Sequence, residues 1–149
     1  MSPVRSPVAA QGLSWTGGAM RFARVVFLAA GVYGLAVLAP QLLFEQRIGE
    51  DTPPAITHPE FFYGFIGVGL AWQAMFLVIG WDPVRFRPAM VPAVLEKAAF
   101  TAAVAGLWAA GRAGGAVLVF ASIDALLGVL FVAAYLRTPR GWRGGDGIS

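Results

Sequence analysis

The sequence predicts an all-α membrane protein, a four-transmembrane-helix bundle with both termini in the cytoplasm (N-in/C-in). Three observations predict it. Hydrophobic residues make up 58% of the 149 and charged residues 13%, against roughly 25% charged in a soluble domain. A chain of this length cannot hide that much apolar surface in an aqueous fold. The apolar residues fall into four runs, each close to the roughly 20 residues that cross a hydrocarbon core. The basic residues stand in small groups between those runs, mostly on one side.

Residues 1–20 are rich in Ser, Pro, Gly and Ala and read as a flexible N-terminal tail. Phe22 to Phe44 is the first span, broken only by Arg24, Pro40 and Gln41. It exceeds the roughly 7–15 apolar residues of a signal peptide. Glu45 to Glu60 is polar, contains Pro53 and Pro54, and reads as a loop. Phe61 to Trp81 is the second span. Thr57 and Glu60 fit a capping box that starts it. Asp82 to Pro88 is a short basic turn, with Asp82-Pro83 as cap and turn. Pro92 to Ala110 is the third span, opened by a proline whose missing N–H costs nothing in a first helical turn. Gly111 to Gly115 is a tight turn, and Ala116 to Tyr135 is the fourth span. Residues 137–149 form a basic, Gly-rich cytoplasmic tail. The transmembrane domain is thus 21–136, with spans at 22–44, 61–81, 92–110 and 116–135.

Basic residues set the orientation. Arg5, Arg21, Arg24, Arg85, Arg87, Lys97, Arg137, Arg140 and Arg143 fall on one side, Arg47 and Arg112 on the other. The first side is expected in the cytoplasm. Glu45, Glu50, Asp51 and Glu60 make the opposite loop acidic. Phe44, Phe61, Phe62, Tyr63 and Trp108 outside, with Trp15, Trp81, Tyr135 and Trp142 inside, fall where interfacial aromatic belts belong. The expected location is a bacterial inner membrane.

Composition narrows function mostly by exclusion. There is no cysteine, hence no disulfide, thiol catalysis or iron–sulfur cluster. The net charge is +3, but scattered bases are a topology signal and no nucleic-acid footprint. No cofactor motif is present. His58 is the single histidine, and the capping box accounts for Thr57 and Glu60 without a metal. The expected partners are the lipid bilayer and another membrane protein or a second copy of the chain.

In lipid, helices associate through small residues and polar links. Ala98, Ala102, Gly106 and Ala110 recur every fourth position and predict a helix-contact face. Gly31 and Gly34, and Gly64 and Gly67, permit close crossings. Gly128, one turn beyond Asp124, suggests a buried face there.

Five intramembrane polar residues are candidates for a ligand or proton site: Asp124, Glu96, Gln73, Tyr33 and Thr101. Asp124 stands about 20 Å above the cytoplasmic edge, where a carboxylate costs at least about 2.5–3.5 kcal/mol. It must face the bundle interior, face a water-filled cavity, or be protonated. It is either a ligand or proton site or a neutral group tying helices together. Glu96 lies about 6 Å deep and is placed to pair with Arg85 or Arg87. Lys97 can snorkel to the surface. Glu96 and Lys97, adjacent in sequence, point about 100° apart and are not expected to pair. Depths differing by about 14 Å argue against direct pairing of Asp124 with Glu96. Gln73, Tyr33 and Thr101 share one level, about 12–14 Å deep, and suggest a polar layer.

The run Asp82-Pro83-Val84-Arg85, then Leu95-Glu96-Lys97, then Asp124 with Gly128-Val129-Leu130-Phe131 resembles small four-helix proteins of bacterial inner membranes. More loosely it is similar to the DoxX-like family, over roughly residues 61–138. The likeness implies location and architecture. That family shares no catalytic signature to carry over. The expected function is therefore a non-enzymatic accessory subunit or a bundle that binds a lipophilic molecule. The alternatives are a small membrane enzyme acting on a lipid or quinone, and a proton-coupled transporter, each using Asp124 or Glu96.

Overall fold

The computed structural model describes residues 7–51 and 55–140, with side chains from residue 17 onward. The described residues form helices and no strands. They are α1 (Pro7–Leu38), α2 (Glu45–Asp51), α3 (Pro59–Trp81), α4 (Met90–Ala109) and α5 (Gly115–Arg137), with short 3-10 segments at Ala39–Leu43 and Arg87–Ala89. Four stretches are long and apolar enough to cross a membrane: Gly17–Leu43, Pro59–Trp81, Arg87–Ala109 and Gly115–Arg137. They are buried within the bundle over only 11–28% of their most apolar windows. Large apolar side chains such as Val25, Leu95, Val129 and Leu136 point outward. An aqueous protein does not leave such continuous apolar surface uncovered. A bilayer solvates it.

Several boundaries differ from expectation. α1 starts at Pro7, inside the segment read as a flexible tail over 1–20; proline is at home in a first helical turn, and the Ala-rich stretch after it favours helix. Residues 1–6 and 141–149 lie outside the described residues. α1 ends at Leu38 and not at Phe44, because Pro40 cannot supply the N–H that an α-turn needs. The chain tightens to a 3-10 helix, and Gln41 Nε2 donates to the Val37 carbonyl at 3.1 Å. The supposed loop from Glu45 contains α2, supported by Gln46–Glu50 and Arg47–Asp51 contacts one turn apart. α3 is capped by His58, without a side-chain bond, so the Thr57 capping box does not form. Glu60 instead meets His58 Nδ1 at 3.0 Å.

α4 begins two residues before Pro92, which is allowed because the first four N–H groups of a helix have no intrahelical partner. It ends in a Schellman turn: the Arg112 N–H reaches the Leu107 carbonyl at 2.8 Å, and the Gly111 N–H reaches Trp108 at 2.9 Å. That turn requires the φ of +67° that Gly111 adopts. Asp82 behaves as the sequence suggests, its carboxylate accepting the Arg85 N–H at 3.1 Å.

The core is aromatic. Phe131 of α5 stacks on Phe27 of α1 at 4.1 Å and meets Phe76 of α3 edge-on at 5.0 Å. All three are fully buried. α1 packs along α3 and α5, α5 packs along α4, and α4 meets α3 only sparsely. The α1–α3 crossing is close because Gly31 and Gly34 lie against α3. A Cβ on Gly34 would overlap the Gln73 carboxamide, and one on Gly31 would reach the Gln73 carbonyl at 2.9 Å. Gly64 and Gly67 have nothing near them and mediate no crossing among the described residues. Ala98, Ala102, Gly106 and Ala110 are all exposed. The predicted contact stripe faces out of the bundle, because α5 packs on the neighbouring face of α4, which carries Ala93, Lys97 and Val104.

Candidate functional site

One end of the bundle is organised by arginines. Arg24 of α1 donates to the last carbonyls of α3, Gly80 at 3.3 Å and Trp81 at 2.9 Å. These carbonyls lack intrahelical partners and carry the negative end of the helix dipole. Arg87 donates to the Thr138 carbonyl at 2.9 Å and lies 3.9 Å from the Tyr135 ring centre. Arg87 is thus spent on the end of α5, and the expected pairing with Glu96 does not occur. Arg137 covers the Phe22 ring.

The polar centre lies deeper, between α4 and α5. Lys97 does not snorkel. It turns inward, is 5% exposed, and donates to both Asp124 oxygens at 3.1 Å. Its Nζ also lies 3.2 Å from Glu96 Oε2 and 5.3 Å from the centre of the Phe76 ring. The Glu96 contact is an ion pair without a directed hydrogen bond; Glu96 Oε2 is buried and no N–H or O–H points at it.

The structure therefore reverses two expectations. Glu96 and Lys97 do pair, since the lysine stem is long enough to fold back past its own backbone. Asp124 and Glu96 share one ammonium, so they stand within about 6 Å of each other. Depth along the helix axes leaves out the reach of the four-carbon lysine stem. The third apolar stretch also begins at Arg87, ahead of the expected Pro92.

The triad has sound physical reasons. A carboxylate in hydrocarbon is costly, and an ammonium held against it offsets most of that cost. Gly128, one turn from Asp124, faces the lysine stem: a Cβ there would lie in ordinary contact, 3.5 Å from Lys97 Cβ. Thr101, one turn above Lys97, links the same two helices by a long hydrogen bond to the Ala121 carbonyl at 3.4 Å.

The remaining candidates do not join this centre. Gln73 is buried, but its amide donates to Gly69 of its own helix at 3.1 Å while its carboxamide packs on Gly34. Tyr33 is half-buried and has no side-chain hydrogen bond among the described residues. The expected layer of Gln73, Tyr33 and Thr101 is not a connected network.

A groove of about 450 Å³ runs along the outer seam of α4 and α5. Ala98, Ala102, Ala105, Ala125 and Gly128 give it shallow walls, and Lys97, Asp124 and Thr101 contribute its polar lining. The outward-facing small-residue stripe is, in part, one wall of this groove. Of the expected candidates, Asp124 and Thr101 line this groove and Glu96 lies beside Lys97; Lys97, expected to reach the surface, lines it too. The available signal was spacing: Lys97 and Thr101, four apart, lie on one face of α4, as Asp124 and Gly128 do on α5.

No protein-family model, curated protein or solved structure matches the chain.

Proposed function

We propose that this chain is a multi-pass protein of a bacterial inner membrane, basic end in the cytoplasm, that binds a lipophilic molecule in the groove between α4 and α5. The resemblance to DoxX-like proteins belongs to the same proposal. The observation that carries it is an intramembrane ion pair, Lys97–Asp124, lining a groove that opens sideways between small apolar residues. Polar groups at membrane depth are costly and mark ligand or ion paths more often than scaffolding. The volume lies within the usual range for small-molecule sites, about 300–1,000 Å³. An alkyl chain fits the Ala and Gly walls, and its head group reaches the polar lining.

Native mass spectrometry of the detergent-purified protein tests this reading. A discrete lipophilic adduct is expected on the wild type. It should disappear in Ala102→Phe, which fills the groove from an exposed position and leaves the core untouched. Bare protein in the wild type, or an adduct that survives Ala102→Phe, would sink it. The proton-coupled alternative rests on the same triad but needs no adduct.

A further inference from the structure

The hydrogen-bonding inventory of the groove restricts the head group it can take, an inference that rests on the ligand-binding reading above. Lys97 has three N–H donors and no acceptor. Its Nζ faces two Asp124 oxygens and Glu96 Oε2, all within 3.2 Å, and the side chain is 6% exposed. Two of those donors are held by Asp124, and the ammonium is nearly enclosed, so it presents little to a ligand. Asp124 accepts from Lys97 on both oxygens, yet each carboxylate oxygen has a further lone pair, and its side chain is 16% exposed and lines the groove. Thr101 directs its hydroxyl proton to the Ala121 carbonyl, which leaves its oxygen as an acceptor. The polar lining of the groove therefore offers mainly acceptors.

Charge points the same way. Two carboxylates face one ammonium within the triad, and no other cationic side chain lines this groove among the described residues. In a low-dielectric surrounding the Asp124 carboxylate in the lining attracts a cation and repels an anion.

We propose that the groove between α4 and α5 selects a lipophilic primary amine in its ammonium form, whose N–H groups bond Asp124 and Thr101 while its alkyl chain lies along Ala98, Ala102 and Gly128. Fatty acids and other anionic amphiphiles are disfavoured, because the one ammonium in the lining is nearly enclosed and already held by Asp124. Trialkylated ammonium heads carry the charge but no N–H, so they bind more weakly.

The test is equilibrium binding of four probes with one chain length to the full protein in phosphatidylcholine nanodiscs, with empty nanodiscs as blank. The probes are dodecylamine, dodecyltrimethylammonium, dodecanol and dodecanoate. Dodecylamine is expected to bind about tenfold or more tighter than dodecanoate, with the other two between them. Ala102→Phe should abolish the difference, and Asp124→Asn should remove most of it. Should Asp124→Asn fail to accumulate, Thr101→Val, which removes the second acceptor from the lining, should reduce the preference. Dodecanoate binding as tightly as dodecylamine would overturn the head-group assignment and leave the groove as a site. Equal binding of the trimethyl and primary ammonium probes would overturn the donor requirement. Binding of none of the four would overturn the ligand-binding reading itself.

Discussion

Lys97 donates to both carboxylate oxygens of Asp124 at 3.1 Å, across the seam between α4 and α5. This pair, with Glu96 beside it, is the most expensive polar feature inside the apolar part of the chain. Removing one member leaves the others charged in a medium that cannot solvate them. Lys97→Met should therefore destabilise the bundle by about 3–5 kcal/mol. Adding Asp124→Leu and Glu96→Gln to Lys97→Met should restore most of that loss. The readout is the unfolding midpoint in mixed detergent and dodecyl sulfate micelles. A single variant that unfolds like wild type would mean the ammonium is not what holds the carboxylates.

Glycine positions that look alike in sequence should respond oppositely. Gly34→Ala places a methyl group into the Gln73 carboxamide and should cost about 1–3 kcal/mol by overpacking. Gly64→Ala meets nothing and should be neutral or gain about 0.5–1 kcal/mol from helix propensity. Gly106→Leu should also be tolerated, since it points out of the bundle. Thermal melts of the three variants decide; a Gly106→Leu loss as large as that of Gly34→Ala would put the Gly106 face inside a contact.

Phe131 joins three helices, so Phe131→Ala should cost about 3–5 kcal/mol. Phe120, on the same helix but exposed, is the control, and Phe120→Ala should change little. Comparable losses at both positions would contradict the aromatic core.

The proposed orientation makes a separate prediction. Reporter fusions after Arg87 and after Arg140 should report cytoplasm, and a fusion near Pro54 the opposite side. A cytoplasmic signal at Pro54 would invert the assignment of the basic end.

Much of the architecture was legible because the bilayer imposes one length scale. Spans read as 61–81 and 116–135 lie within helices observed at Pro59–Trp81 and Gly115–Arg137. Local chemistry was harder to read. Pro40 ends α1 through one missing N–H, and α2 hides in a segment whose polarity resembles a loop. The site was half legible. Asp124 declared itself by its depth. Lys97 did not, because a side chain that can reach water and one that reaches a neighbouring helix look identical in sequence. What decided between them was the facing surface of α5, where Asp124 meets the ammonium. The small-residue stripe on α4 was visible, but its direction depends on which side of α4 the fifth helix occupies.

The sparse meeting of α3 with α4 bears on how the molecule is assembled. α1 and α3 are consecutive long helices that pack together, and so are α4 and α5. The first hairpin is therefore complete before the ribosome has made the second, and each can close on short-range contacts alone. The packing of α1 on α5, with Phe131 against Phe27 and Phe76, awaits the full chain. If so, two polypeptides divided in the turn at residues 83–86, each entering the membrane as its own hairpin, should find one another when co-expressed and co-purify as a pair. Failure of two stably inserted halves to associate would show that the order of synthesis and the order of packing are linked in some other way.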